Sequence, residues 1–231
     1  MHKGIVLLFI YFGLFSFEIQ AQHEWYVGLR GGYNTLSASL NHTVLLTREA
    51  TVQTFGPSGG LIIKYFPRPH LGLQAEFNFT QKGYITQFAD PFDRAKSLFN
   101  YLELPFMFNV YLGKKKWQYM ANMGPFVGWL LSHKTTGPFD EETFMNPRTT
   151  YLYDNARDRR LSYGLKVSGG LFREFSFGAF QVEGHITADL SNFLDPVTLD
   201  SGIPDNSHHT IYGISVAYLF FFGEKLQAVE N

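Results

Sequence analysis

Cysteine is absent from the 231 residues. That excludes a disulfide framework, a thiolate metal centre, a cysteine nucleophile and a lipid-modified N-terminal cysteine. Charge is scarce as well: Asp, Glu, Lys and Arg make up 17% of the chain, against roughly 25% in an ordinary soluble domain. Neither sign dominates, with 19 Lys+Arg against 20 Asp+Glu, so nothing here is an electrostatic footprint for nucleic acid. Long stretches of helical period are missing too. What the chain has in excess is aromatic, 24 Phe and 13 Tyr, and that excess needs an apolar surrounding.

The N-terminus begins "MHKGIVLLFIYFGLFSFEIQAQ", with Lys3, an unbroken apolar run from Ile5 to Phe15, then Glu18 and Ala21. The run is shorter than the roughly 20 residues of a spanning helix. It reads as an export signal cleaved after Ala21, although Ile19 stands where a small residue is preferred. Residues 1–21 are therefore set apart as a signal peptide, leaving 22–223 as one folded domain and 224–231 as a C-terminal tail.

The rest of the chain alternates with period two. Strands are expected near 24–35, 54–66, 70–81, 101–112, 117–132, 161–173, 178–190 and 209–222. The stretch "YLELPFMFNV" (101–110) shows the pattern and its apparent contradiction. Leu102, Leu104, Phe106, Phe108 and Val110 share one face, while Tyr101, Glu103, Pro105, Met107 and Asn109 share the other. Connections alternate in length: long at 36–53, 82–97, 133–160 and 191–208, short at 67–69, 113–116 and 174–178. An even number of strands in an up-and-down meander, with short turns at one end and long loops at the other, is the signature of an outer-membrane barrel. The fold expected is all-β: an eight-stranded antiparallel transmembrane barrel with short periplasmic turns and long extracellular loops.

In such a barrel the apolar face meets lipid and the alternate face lines an interior that tolerates polarity. Glu103 then points inward, with Arg30, Lys64, Glu76, Lys166, Glu183, His185 and Asp189. Eight strands leave an interior that side chains fill. Buried charge must be paired, which places Arg30 and Lys166 near Glu76, Glu103 or Glu183. Three cations face four carboxylates. Pro105 and Pro125 are expected at bulges, because proline removes a ladder hydrogen bond. Trp25, Tyr33, Tyr65, Tyr119, Trp129, Tyr163, Tyr212 and Tyr218 fall toward strand ends, where aromatic girdles sit. A soluble barrel of lipocalin type also has eight strands, but it would put the apolar residues inside.

"GLQAEFNFTQKGY" (72–84), "YLELPFMFNVYLG" (101–113), "MGPFVGWLLS" (123–132), "YGLKVSGGLF" (163–172) and "YGISVAYLF" (212–220) together resemble the PorT-like outer-membrane β-barrel family of Bacteroidota. The resemblance covers nearly the whole mature chain and implies a small envelope barrel, with a type IX secretion component as the family's namesake. Unlike typical outer-membrane barrels, the chain continues past Phe222 as "GEKLQAVEN".

Two loop motifs invite chemistry. "DNSHH" (205–209) holds Ser, His and Asp together, but catalysis needs a nucleophile within reach of a base and an oxyanion site; a solvated loop is the simpler reading. His208 and His209 lack an evident third metal ligand, although His42 and His133 lie in other loops. In the 133–160 loop, "DEET" (140–143) and "RDRR" (157–160) oppose each other, and Arg157, Arg159 and Arg160 could meet lipopolysaccharide phosphates. The function expected is a non-enzymatic envelope or scaffold barrel with a filled lumen, without cofactor or metal. Its partners would be outer-membrane lipid, lipopolysaccharide and an envelope protein complex, and it would be associated with type IX secretion or surface assembly. A small-ligand or lipid-binding barrel and a rim-active lipid enzyme are the alternatives.

Overall fold

A computed structural model describes residues 24–42, 47–48, 51–68, 70–87, 94–113, 117–137, 153–195 and 204–223. The stretches expected as signal peptide and C-terminal tail, and the "DEET" run, lie outside the described residues. Ten strands are present among those described: β1 (Glu24–His42), β2 (Thr47–Arg48), β3 (Thr51–Val52), β4 (Thr54–Arg68), β5 (Leu71–Gln87), β6 (Arg94–Leu112), β7 (Trp117–Thr136), β8 (Leu161–Phe175), β9 (Gly178–Asp189) and β10 (Asn206–Gly223).

The eight long strands pair with their sequence neighbours, all antiparallel, in the order β10-β9-β8-β7-β6-β5-β4-β1. β1 also pairs with β10, from Glu24 opposite Gly223 to Asn41 opposite Asn206, so the ring has no free long edge. β2 and β3 are short additions that pair with β1 and β5 at the end of the long connections.

Alternation decides which side chains face in. On β6, Tyr101, Glu103, Pro105, Met107 and Asn109 are buried while Leu104, Phe106, Phe108 and Val110 are exposed. The outer wall is apolar and the inner wall mixed, the reverse of a soluble barrel.

Strands run further than their apolar pattern suggests. β7 has 20 residues and β1 has 19, so stretches expected as loops, 36–42, 82–87 and 94–97, are barrel wall. The reason lies in the outer face, which changes character partway up. Phe77, Phe79, Leu104 and Phe106 give way to Gln81, Asn100 and Ser132, linked by Gln81 Nε2 to Asn100 Oδ1 at 3.0 Å and Asn100 Nδ2 to Ser132 Oγ at 3.0 Å. The ladder continues above the apolar band because backbone pairing needs no apolar side chain. At about 3.3 Å per residue and a tilt near 40°, β7 rises roughly 50 Å, about twice the apolar band of a typical outer-membrane barrel.

Two local expectations are corrected. Pro105 and Pro125 do not mark bulges: the β6–β7 register is the same on both sides of them, with Pro105 opposite Phe126 and Phe108 opposite Met123. Each proline interrupts pairing without adding a residue. The register shift lies instead between Asn100 and Tyr101, which face Ser132 and Leu130. Leu131 is the extra residue, and it reverses the parity beyond it. Ser132, which unbroken alternation from Gly128 and Leu130 would place inside, is exposed, and His133 turns toward Phe99 and Tyr153, with ring centroids at 6.3 and 4.8 Å.

The turn between β8 and β9 depends on Gly178, whose φ of 150° disfavours any side chain. A Cβ there would lie 2.5 Å from the Leu219 carbonyl oxygen. Gly178→Ala is expected to destabilise the barrel by about 1–3 kcal/mol, read as a lowered denaturant midpoint in detergent.

Candidate functional site

The inward side chains form three layers. At the end bearing the short turns, Tyr26, Ile62, Phe66, Tyr111, Met120, Phe172 and Leu219 pack as one buried cluster. Tyr111 and Phe172 meet edge to face at 5.4 Å. At the opposite end a second cluster joins Leu40, Tyr84, Phe99, Tyr101 and Leu130 to Tyr153, Phe193 and Leu194. The last three come from the described parts of the connections, 153–160 and 190–195, which pack inward at the barrel mouth. Between these layers lies the polar one.

The middle layer holds two ion-pair clusters. In the first, Glu76 receives Arg30 Nη1 at 3.3 Å and Lys166 Nζ at 2.6 Å, with Gln74 and Asn78 amides also donating. Arg30 reaches further: Nη2 lies 2.9 Å from Glu183 Oε1, Nε donates to Ser215 Oγ at 3.0 Å, and Nη2 lies 3.2 Å from His185 Nδ1. Glu183 also accepts from Gln181 Nε2 at 2.8 Å and Ser168 Oγ at 3.1 Å. The carboxylates thus have several donors each, which offsets much of their desolvation.

In the second cluster Lys82 is the centre. Its Nζ lies 2.7 Å from Asp189 Oδ1 and 2.9 Å from Glu103 Oε1, and it donates to Ser162 Oγ at 3.1 Å. The rings of Tyr101 and Phe126 flank it at 4.7 and 4.8 Å. Lys82 was expected in a loop. Its position is legible in the inward parity it continues from Gln74, Glu76, Asn78 and Thr80.

The eight inward residues named from sequence therefore fall into three groups. Arg30, Glu76, Lys166, Glu183 and His185 meet in one cluster; Glu103 and Asp189 meet around Lys82. Lys64 stands apart, donating to Tyr111 Oη at 2.6 Å in the aromatic layer. Between the clusters a cavity of about 10 Å³ is lined by Arg30, Glu103, Lys166, His185 and Asn34, room for about one water.

The eight named girdle residues all lie on the outer wall, with Tyr65 and Tyr218 half-buried. Trp25 and Tyr65 pack together at 4.6 Å near the turns, and Tyr33 stacks on Phe55 at 6.1 Å toward the loops. Eight residues separate Trp25 from Tyr33 and ten separate Tyr119 from Trp129, which is roughly 20–25 Å along the barrel axis. Trp117, Phe55 and Phe177 are further exposed aromatics on this wall.

The "DNSHH" motif is not a solvated loop. Ser207 and His209 are fully buried, and Ser207 Oγ accepts from Leu194 N at 2.9 Å. His209 stacks on Phe193 at 4.2 Å, with neither ring nitrogen bonded to a described residue. His208 points the other way along β10, with Nδ1 3.1 Å from the Ser191 carbonyl. Among the described residues no base is hydrogen-bonded to the serine, and the two histidines cannot share one ion from opposite faces.

The outer membrane protein beta-barrel domain profile matches residues 20–195. The outer membrane protein OprG of Pseudomonas aeruginosa superposes with a TM-score of 0.53 over 88% of this chain and 98% of its own, at 10% identity. Neisserial surface protein A aligns over 84% of this chain and 96% of its own, with 11% identity and a TM-score of 0.41. The attachment invasion locus protein Ail of Yersinia pestis aligns over 84% and 98%, with 12% identity and a TM-score of 0.40. At such identities the likeness to OprG is one of fold. No curated protein sequence matches the chain.

Proposed function

Since this chain belongs to the outer membrane protein beta-barrel domain family, we propose that it is a non-enzymatic outer-membrane barrel whose lumen is filled. In this reading it acts as an envelope or scaffold component and not as a pore. The observation that carries this is the layering of the interior. Two aromatic clusters lie above and below a middle layer in which Arg30, Lys82 and Lys166 are tied to Glu76, Glu103, Glu183 and Asp189. Ions would have to break buried pairs and displace packed rings at both ends, and neither layer rests on a single removable side chain.

The N-terminal apolar run acts as the cleaved export signal, the short turns face the periplasm and the long connections face outward. The sequence resemblance to PorT-like barrels supports an association with type IX secretion or surface assembly. Three features support a non-catalytic role: the buried Ser207, the ring nitrogens of His209 that bond to no described residue, and the opposed direction of His208.

Two experiments test the proposal. In planar bilayers the purified protein is expected to give no stable conductance steps, and large regular steps would overturn the filled lumen. Affinity capture of the tagged chain from native outer membranes in mild detergent is expected to retain a stoichiometric envelope protein. Recovery of the barrel alone would overturn the scaffold role.

A further inference from the structure

Of the three arginines in "RDRR", the structure leaves one uncommitted. Asp158 is buried and organises the segment before β8: its Oδ2 accepts from Asp154 N at 2.7 Å and its Oδ1 from Asp195 N at 3.0 Å. Arg157 donates to the same carboxylate through Nε and Nη2, both at 2.7 Å. Arg159 is held by Asp195 at 3.1 and 3.2 Å. These contacts neutralise two arginines and two aspartates against each other. Arg160 is exposed and makes no ion pair among the described residues.

Arg160 borders a cavity of about 410 Å³ on the outer wall. Trp129, Leu161 and Tyr163, all exposed, form its apolar side, and Asn155, Ser191 and the already paired Asp158 and Arg159 its polar side. Ser191 Oγ accepts from Tyr163 N at 3.1 Å, which leaves its own hydrogen to donate. Trp129 and Tyr163 belong to the aromatic row nearer the long connections, so the cavity straddles the boundary where apolar wall gives way to polar wall. At that level the apolar side faces acyl chain and Arg160 faces headgroups.

We infer that this cavity binds the phosphorylated sugar headgroup of lipopolysaccharide. Arg160 forms a charge-assisted pair with a phosphate. Asn155 and Ser191 donate to sugar oxygens, Trp129 covers the ring, and Leu161 with Tyr163 meets the first acyl carbons. The argument for a glycolipid over a phospholipid is the two uncharged donors, Asn155 and Ser191, beside a single cation left free by the pairing of Arg159 with Asp195 and of Asp158 with Arg157, in a cavity wide enough for a sugar ring. The inference rests on the outer-membrane reading above.

The test is native mass spectrometry of the purified chain in detergent, titrated separately with bisphosphorylated lipid A, dephosphorylated lipid A and phosphatidylglycerol. Bisphosphorylated lipid A is expected to bind best, with Arg160→Gln weakening it about tenfold, Arg160→Lys weakening it less, and Arg68→Gln at the opposite end of the barrel leaving it unchanged. Equal binding of the dephosphorylated form, or no effect of Arg160→Gln, overturns the site. Equal binding of phosphatidylglycerol overturns the sugar assignment. Unheated gel mobility checks that each variant is a folded barrel, and Asn155→Ala gives a second reading if Arg160→Gln is not. Fractionation of the native chain separates the two failures: absence from outer membranes removes the premise, whereas loss of lipid A binding by a chain located there overturns the site alone.

Discussion

Lys82→Met is expected to lower the stability of the barrel by about 3–5 kcal/mol, because removing one partner of a buried ion pair leaves the other charge uncompensated. Here two carboxylates are left, since Lys82 Nζ is the cation between Asp189 at 2.7 Å and Glu103 at 2.9 Å. Methionine keeps most of the stem's volume, so packing between Tyr101 and Phe126 changes little and the effect reports charge. Adding Glu103→Gln and Asp189→Asn to the same variant is expected to restore most of the loss, because neutral amides tolerate each other's company where carboxylates do not. Lys64→Met provides the contrast: Lys64 donates to a tyrosine hydroxyl at 2.6 Å, and its removal leaves no carboxylate stranded. Guanidinium unfolding followed by tryptophan fluorescence in detergent measures all four proteins. A Lys82→Met midpoint equal to that of the parent would remove the ion-pair cluster as a source of stability.

Leu29→Arg is the second large effect, expected at about 2–4 kcal/mol when the barrel is folded into a bilayer, as for arginine near the bilayer midplane. Leu29 is 63% exposed on the outer wall and lies midway between Trp25 and Tyr33 on β1. In a water-soluble barrel the same change at so exposed a leucine would fall within about 0.5 kcal/mol. The magnitude therefore discriminates between a wall facing lipid and a wall facing water. Lys134→Gln, on the polar part of β7, serves as the matched control and is expected to leave stability unchanged in both settings. Reversible unfolding from phospholipid vesicles gives the difference, and a Leu29→Arg barrel as stable as its parent would contradict the lipid-facing assignment.

The legible part of this molecule is what depends on alternation alone. Arg30, Glu76, Glu103, Lys166 and Glu183 stand on the inner face because each shares parity with its buried neighbours, and parity survives any error in where a strand begins. Strand ends were misplaced for the same reason. The expectation stopped where outward residues ceased to be apolar, at Gln81 and Asn100, although the backbone goes on pairing there. Lys82 was lost with that boundary. Parity fails where a residue is inserted: the extra Leu131 on β7 turns Ser132 out and His133 in, and no residue type in that stretch announces it.

By itself, then, the sequence determined the class of fold, the apolar outer wall and the mixed inner one, because all of these follow from period-two patterning read along single strands. Only the tertiary structure decided who pairs with whom. Closing the ring sets β1 beside β10, which brings Arg30 to Glu183 on β9 from one side and to Glu76 on β5 from the other. It also carries Lys82 across the lumen to Asp189, 107 residues away in the chain. Those distances depend on curvature and register summed over eight strands, and a single strand's pattern holds no information about either.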